Sequence, residues 1–152
     1  MTGPKDLPIV DGHLDLAENV TIFGRDLTLN VSKIRSLENR RSNQATISLP
    51  ELKRGGIAVA FATVTPGFLA QDVGSDFEPQ SALYRTAEEA QAQALSQIDL
   101  YEEWELQGRI RIIKSVNDLE DHLQLWRQDR KTGIVLLMEG ADPIIKTADL
   151  PK

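Results

Sequence analysis

The chain has 152 residues, enough for one domain with a sizeable core. Hydrophobic residues make up 41% and charged residues 26%, and the net charge of -6 argues against nucleic acid or an anionic membrane surface as the main partner. There is no cysteine, so disulfides and thiolate metal sites are excluded and any metal must be held by His, Asp and Glu.

The opening MTGPKDLPIV lacks the apolar region of a signal peptide, and no run approaches the about 18 apolar residues of a membrane span. A cytoplasmic protein is expected, with no membrane partner.

Residues 8–16 read as a strand ending in a polar cluster. Side chains alternate along a strand, so strict alternation groups Ile9, Asp11, His13 and Asp15 on one face. Val10, Gly12, Leu14 and Leu16 then share the other. Residues 18–49 are less regular. Asn30 is placed to cap a short helix carrying Val31, Ile34 and Leu37, and 38–46 reads as a loop. Pro50 opens a short helix that Gly55 and Gly56 end. IAVAFATVT (57–65) is apolar on both faces, as buried parallel strands are. Residues 66–85 read as a long loop.

Thr86 with Glu89 has the pattern of a capping box, and the helix behind it runs to about Gln107. Ala87, Ala90, Ala94, Ile98 and Tyr101 form its stripe, with Leu95 and Trp104 beside it, and Gly108 is a stop. A short strand is expected in 109–115. Asn117 with Glu120 then suggests a helix start, with Val116, Leu119, Leu123 and Trp126 on one face. GIVLLM (133–138) is another fully apolar strand, and Glu139 stands at its end. Alternating strands and helices with buried strands predict an α/β fold with a parallel sheet, whose ligand site lies at the C-terminal strand ends.

His13 and Asp15, at i and i+2, can reach one ion, and Glu139 joins them if the two strand ends are close. Paired metals in such a site polarise a carbonyl and activate water. Each part also has a plainer reading. H-x-D triplets arise by chance, Asp11 before Gly12 is a turn signal, and Glu139 before Gly140 can be an ordinary loop acid. His122 lies among Glu120, Asp121 and Gln124 and reads as part of a solvated face. Trp104 and Trp126 read as helix packing, and Asp129-Arg130-Lys131 as a solvated helix end.

The run IVDGHLDLA (9–17) resembles the first-strand motif of the membrane dipeptidase (renal dipeptidase) family of zinc peptidases. GRDLT (24–28), SLPELKRGGIAVAFATV (48–64) and VLLMEGADPI (135–144) follow in the family's order. The likeness is greatest to bacterial members and covers nearly the whole chain. It implies the N-terminal portion of a (β/α)8 TIM-type barrel with two zinc ions per complete site. His13 and Asp15 then match ligands of one zinc, and Glu139 matches the carboxylate that bridges both. The implied reaction is hydrolysis of dipeptides.

The family's second zinc takes two histidines beyond the bridging glutamate, and a late-strand aspartate handles a proton. No histidine follows Glu139 here, and a full barrel takes about 250 residues. The expectation is therefore one partial barrel domain over 1–152, incomplete at its C-terminus. It would dimerise or aggregate through exposed sheet edges, or be marginally folded, and show negligible turnover alone. Three other readings compete. One is an amidohydrolase-type metal-dependent hydrolase. Another is a non-catalytic half-barrel binding module. The third is an open-sheet domain with a Mg²⁺ pocket at Asp11 and Asp15.

Overall fold

A computed structural model describes residues 7–38, 44–67 and 84–146. In chain order these form β1 (Ile9–Leu14), α1 (Leu16–Thr21), α2 (Val31–Leu37), α3 (Leu49–Gly55), β2 (Ile57–Val64), α4 (Ala87–Leu106), β3 (Arg111–Ile112), α5 (Val116–Asp129) and β4 (Gly133–Met138). Most of the expected 66–85 loop, and 39–43 of the expected 38–46 loop, lie outside the described residues.

Local chemistry sets most of the boundaries. The Asn30 side chain accepts a hydrogen bond from the Lys33 amide at 2.8 Å and starts α2. Pro50 occupies the first turn of α3, and Gly56 ends it in the left-handed region at φ 76°. Thr86 accepts from the Glu89 amide, while the Glu89 carboxylate accepts from Arg85 N–H at 2.6 Å. At α5 the start differs from expectation. Ser115 is the cap and accepts from Asp118 N–H, and Asp118 accepts from Lys114 N–H, so Ser115 and Asp118 fill the roles assigned to Asn117 and Glu120. The short α1, beginning directly after Asp15, is an element the sequence pattern does not announce.

The four strands form one parallel sheet in the order β1-β2-β4-β3. Both α4 and α5 therefore lie in the connection from β2 to β4. Strand alternation divides the interior between two clusters. Ala60, Ala62 and Val64 of β2 join Ile134 and Leu136 of β4 against Leu16, Ala94, Tyr101 and Trp104. Val59 and Val135 join Ile113 and Trp126 on α5's side. Both faces of β2 and β4 are thus used, which is why these strands carry no polar alternation. Trp104 and Trp126 do pack in the interior, but in different clusters. Leu95, expected beside the α4 stripe, and Val116, expected on the apolar face of α5, are exposed.

His122 departs from its solvated reading. It is 2% exposed, and its Nε2 bonds Ala58 O at 2.8 Å. Burial pushes its pKa below the ordinary value, opposed by the bond to Ala58. Among the described residues, no helix is long and apolar enough to cross a membrane.

Candidate metal centre

The C-terminal ends of β1, β2 and β4 converge. β1 is irregular there: Asp11 registers with Ala60 but Leu14 with Ala62, so β1 carries one extra residue across the same span. Bulges of this kind break alternation and re-aim side chains. Asp11 consequently shares Leu14's register rather than His13's, which corrects the expected grouping. The Asp11 carboxylate accepts from His13 N–H at 3.1 Å, the backbone role its Asp-Gly context suggested.

Asp15 follows β1 as the N-cap residue of α1, yet its side chain makes no capping bond. Its Oδ1 instead accepts from the Thr63 hydroxyl at 2.7 Å. Glu139 extends β4 by one residue, donating its N–H to Val64 O at 3.1 Å, and Gly140 turns the chain away at φ 87°. Glu139 Oε2 accepts from the Thr65 hydroxyl at 3.0 Å. The His13 ring lies between the two acids, with Nδ1 3.7 Å from Asp15 Oδ1 and Nε2 3.5 Å from Glu139 Oε2. One ligating atom from each of His13, Asp15 and Glu139 lies within 4.8 Å of the others. All three side chains are about half exposed, so the cluster opens to solvent.

This donor set suits a divalent cation: one imidazole nitrogen and two carboxylates, whose oxygens nearest the His13 ring are each oriented by a threonine hydroxyl. Nearby Glu18 registers the concentration of negative charge. Its pKa is raised, first by burial and then by Asp15 and Glu139, with Arg25 opposing.

The structure adds residues that the sequence reading omits. Thr63 and Thr65 stand at i and i+2 at the end of an apolar strand, the spacing that singled out His13 and Asp15, and that repeat was the available signal. Behind them on α4 lie Gln97 and Tyr101. Gln97 binds both backbone groups of Thr65, with N–H to Oε1 at 2.8 Å and Nε2 to the carbonyl at 2.6 Å. Tyr101 donates to Thr63 O at 2.9 Å and accepts from Ala17 N–H at 3.1 Å. Burial raises its pKa above the ordinary value, opposed by the bond from Ala17. Gln97, a polar residue inside the α4 apolar stripe, was the visible anomaly.

Comparison with known proteins places this arrangement. No curated protein matches the chain. Among solved structures, the chain resembles dipeptidase AC, a metallopeptidase of family M19, with 23% identity and a TM-score of 0.55 over 91% of this chain and 37% of that one. It also resembles a metallopeptidase from Rhodobacter sphaeroides, solved with a phosphinate mimic of the dipeptide L-Ala-D-Ala. There the identity is 22% and the TM-score 0.59, over 91% of this chain and 39% of that one. The chain thus spans under two-fifths of either, and its parallel α/β sheet corresponds to part of their TIM-barrel-like fold. The family model for membrane dipeptidases matches residues 4–151, and on that match the chain belongs to the membrane dipeptidase family, peptidase family M19.

Proposed function

We propose that this chain supplies the first metal ligands of a zinc dipeptidase: His13 and Asp15 for one zinc, and Glu139 as the bridge to a second. Dipeptides are the substrates of the complete site. One observation carries the reading. Residues from near the two ends of the described chain place an imidazole and two carboxylates within 4.8 Å. Family membership supports metal use and peptide hydrolysis. A bound divalent ion would supply Lewis acidity toward the scissile carbonyl. The chain's own part is to hold and orient that ion: the Thr63 and Thr65 hydroxyls orient the Asp15 and Glu139 carboxylates toward His13.

The chain's second histidine does not complete the site. His122 is buried against Ala58, near the start of β2, while the cluster lies beyond that strand's other end. We therefore read 1–152 as one partial barrel unit that binds metal but turns over dipeptide negligibly by itself.

Calorimetric zinc titration of the purified chain tests this. Saturable binding is expected, with a large loss in His13→Ala. The reading fails if the chain takes up no zinc, or if His13→Ala binds as the original does. A dipeptide hydrolysis assay with added zinc should show no turnover. Zinc-dependent turnover abolished by His13→Ala would overturn the inactivity.

A further inference from the structure

Two polar side chains on α4 are buried without touching the candidate ligands. Gln97 is 2% exposed and Tyr101 fully buried. A buried amide or phenol is costly unless its hydrogen bonds are made. Both spend theirs on the backbone at the end of β2. Positions i and i+4 on a helix are separated by about 6 Å along the axis, and i and i+2 on a strand by about 6.6 Å. The two steps nearly match, so Gln97 and Tyr101 meet Thr65 and Thr63 in register as α4 runs back along β2.

The two contacts have different consequences. Thr65 lies one residue past β2, where the ladder with β4 has ended at Val64. The Gln97 amide takes its N–H and C=O as a neighbouring strand would. That fixes the backbone from which the Thr65 hydroxyl reaches Glu139. Tyr101 joins Thr63 O to Ala17 N–H and so ties the end of β2 to the chain two residues after Asp15. The Thr63 hydroxyl and the Asp15 carboxylate it binds are therefore held from both sides.

We propose that Gln97 and Tyr101 are positioning residues of the metal centre, acting through Thr65 and Thr63 to hold Glu139 and Asp15 in ligating geometry for a divalent cation. The inference rests on the metal-binding reading above. Partners behind metal ligands typically govern affinity by about 10–100-fold.

The test is zinc titration of the full chain, with the Co²⁺ absorption spectrum as a report on ligand geometry and a thermal melt to establish folding. Tyr101→Phe, Gln97→Met and Thr65→Val should each weaken zinc binding about 10-fold or more and alter the Co²⁺ spectrum. Thr65→Ser, which keeps the hydroxyl, should restore both. Tyr101→Phe and Thr65→Val are near-isosteric, so they decide the matter even if Gln97→Met fails to fold. If these two melt cooperatively and bind zinc as tightly as the original chain, while His13→Ala does not bind, the positioning role is wrong and the metal centre stands. If His13→Ala itself binds normally, both readings fall together.

Discussion

The His122 ring fills the space that a side chain at Gly133 would need. A β-carbon built on Gly133 would lie 2.7 Å from His122 Nε2, 2.9 Å from Cδ2 and 2.6 Å from Ile113 Cδ1. Glycine at the first residue of β4 is thus a packing requirement, set jointly by His122 of α5 and by Ile113, which follows β3. Gly133→Ala should cost about 1–3 kcal/mol through overpacking. The urea midpoint measures it. Combining it with His122→Ala should recover part of the loss, because the two sites contest one volume.

The same histidine makes stability depend on pH. Its folded pKa lies below the ordinary 6.5, with burial the largest cause, the Ala58 bond opposing, Arg111 adding to the depression and Asp129 opposing it. Below 6.5 the unfolded chain takes up a proton that the folded chain does not, so unfolded binds more and stability falls as pH falls. The contribution is complete above 6.5 and is lost progressively as pH drops toward the folded value. Denaturant melts at pH 7.5 and 5.5 should show a decline. In His122→Leu that decline should shrink, at a cost of about 1 kcal/mol for the Ala58 hydrogen bond. An equal decline in both proteins would assign the acid sensitivity elsewhere.

Arg25 is buried and connects three parts of the N-terminal half. Its guanidinium bonds Glu38 at 2.6 Å and Asn19 of α1 at 2.6 Å, and lies 4.5 Å from the centre of the Phe23 ring. Glu38 in turn accepts from Ala45 N–H at 2.9 Å. Removing one partner of a buried pair strands the other charge. Arg25→Ala should therefore destabilise by about 3–5 kcal/mol, and Arg25→Met with Glu38→Leu by much less. Chemical denaturation of the single and double variants compares them.

Among the described residues β1 and β3 are the sheet edges, and β1 exposes Ile9 at 48% and Val10 at 58%. An edge with apolar side chains and open backbone groups pairs with other edges. Sedimentation should find the isolated chain associated, with Val10→Lys shifting it toward monomer. A monomer at all concentrations before any substitution would count against edge pairing.

How much was legible in the residues follows from the range of the interactions. Strand 133–138 and the caps at Asn30, Thr86 and Gly56 are local matters, and their residues announce them. That His13, Asp15 and Glu139 end apolar runs is equally local; that their side chains lie together is a fact of the fold. What stayed hidden depends on distant partners. His122 has acidic neighbours in sequence, and its burial follows from Ala58, 64 residues away. The extra residue in β1 is visible only against β2. The roles of Gln97 and Tyr101 require knowing that α4 runs back along β2. The place of β4 between β2 and β3 is likewise a fact of pairing.

That strand order bears on how the chain is born. A ribosome delivers β3 and α5 before β4, yet among the described residues β3 has no neighbour in the sheet except β4. The inner edge of β2 and the whole of β3 must wait, unpaired, until β4 arrives and inserts between them. Closing so long a connection is slow because its entropy is lost before its contacts form. From the emergence of β2 to that of β4 the nascent chain therefore carries an apolar, half-paired sheet, exposed to misassembly and to chaperone capture. Glu139 is the next residue after that strand, so the step that inserts β4 is also the step that brings the third ligand to the other two.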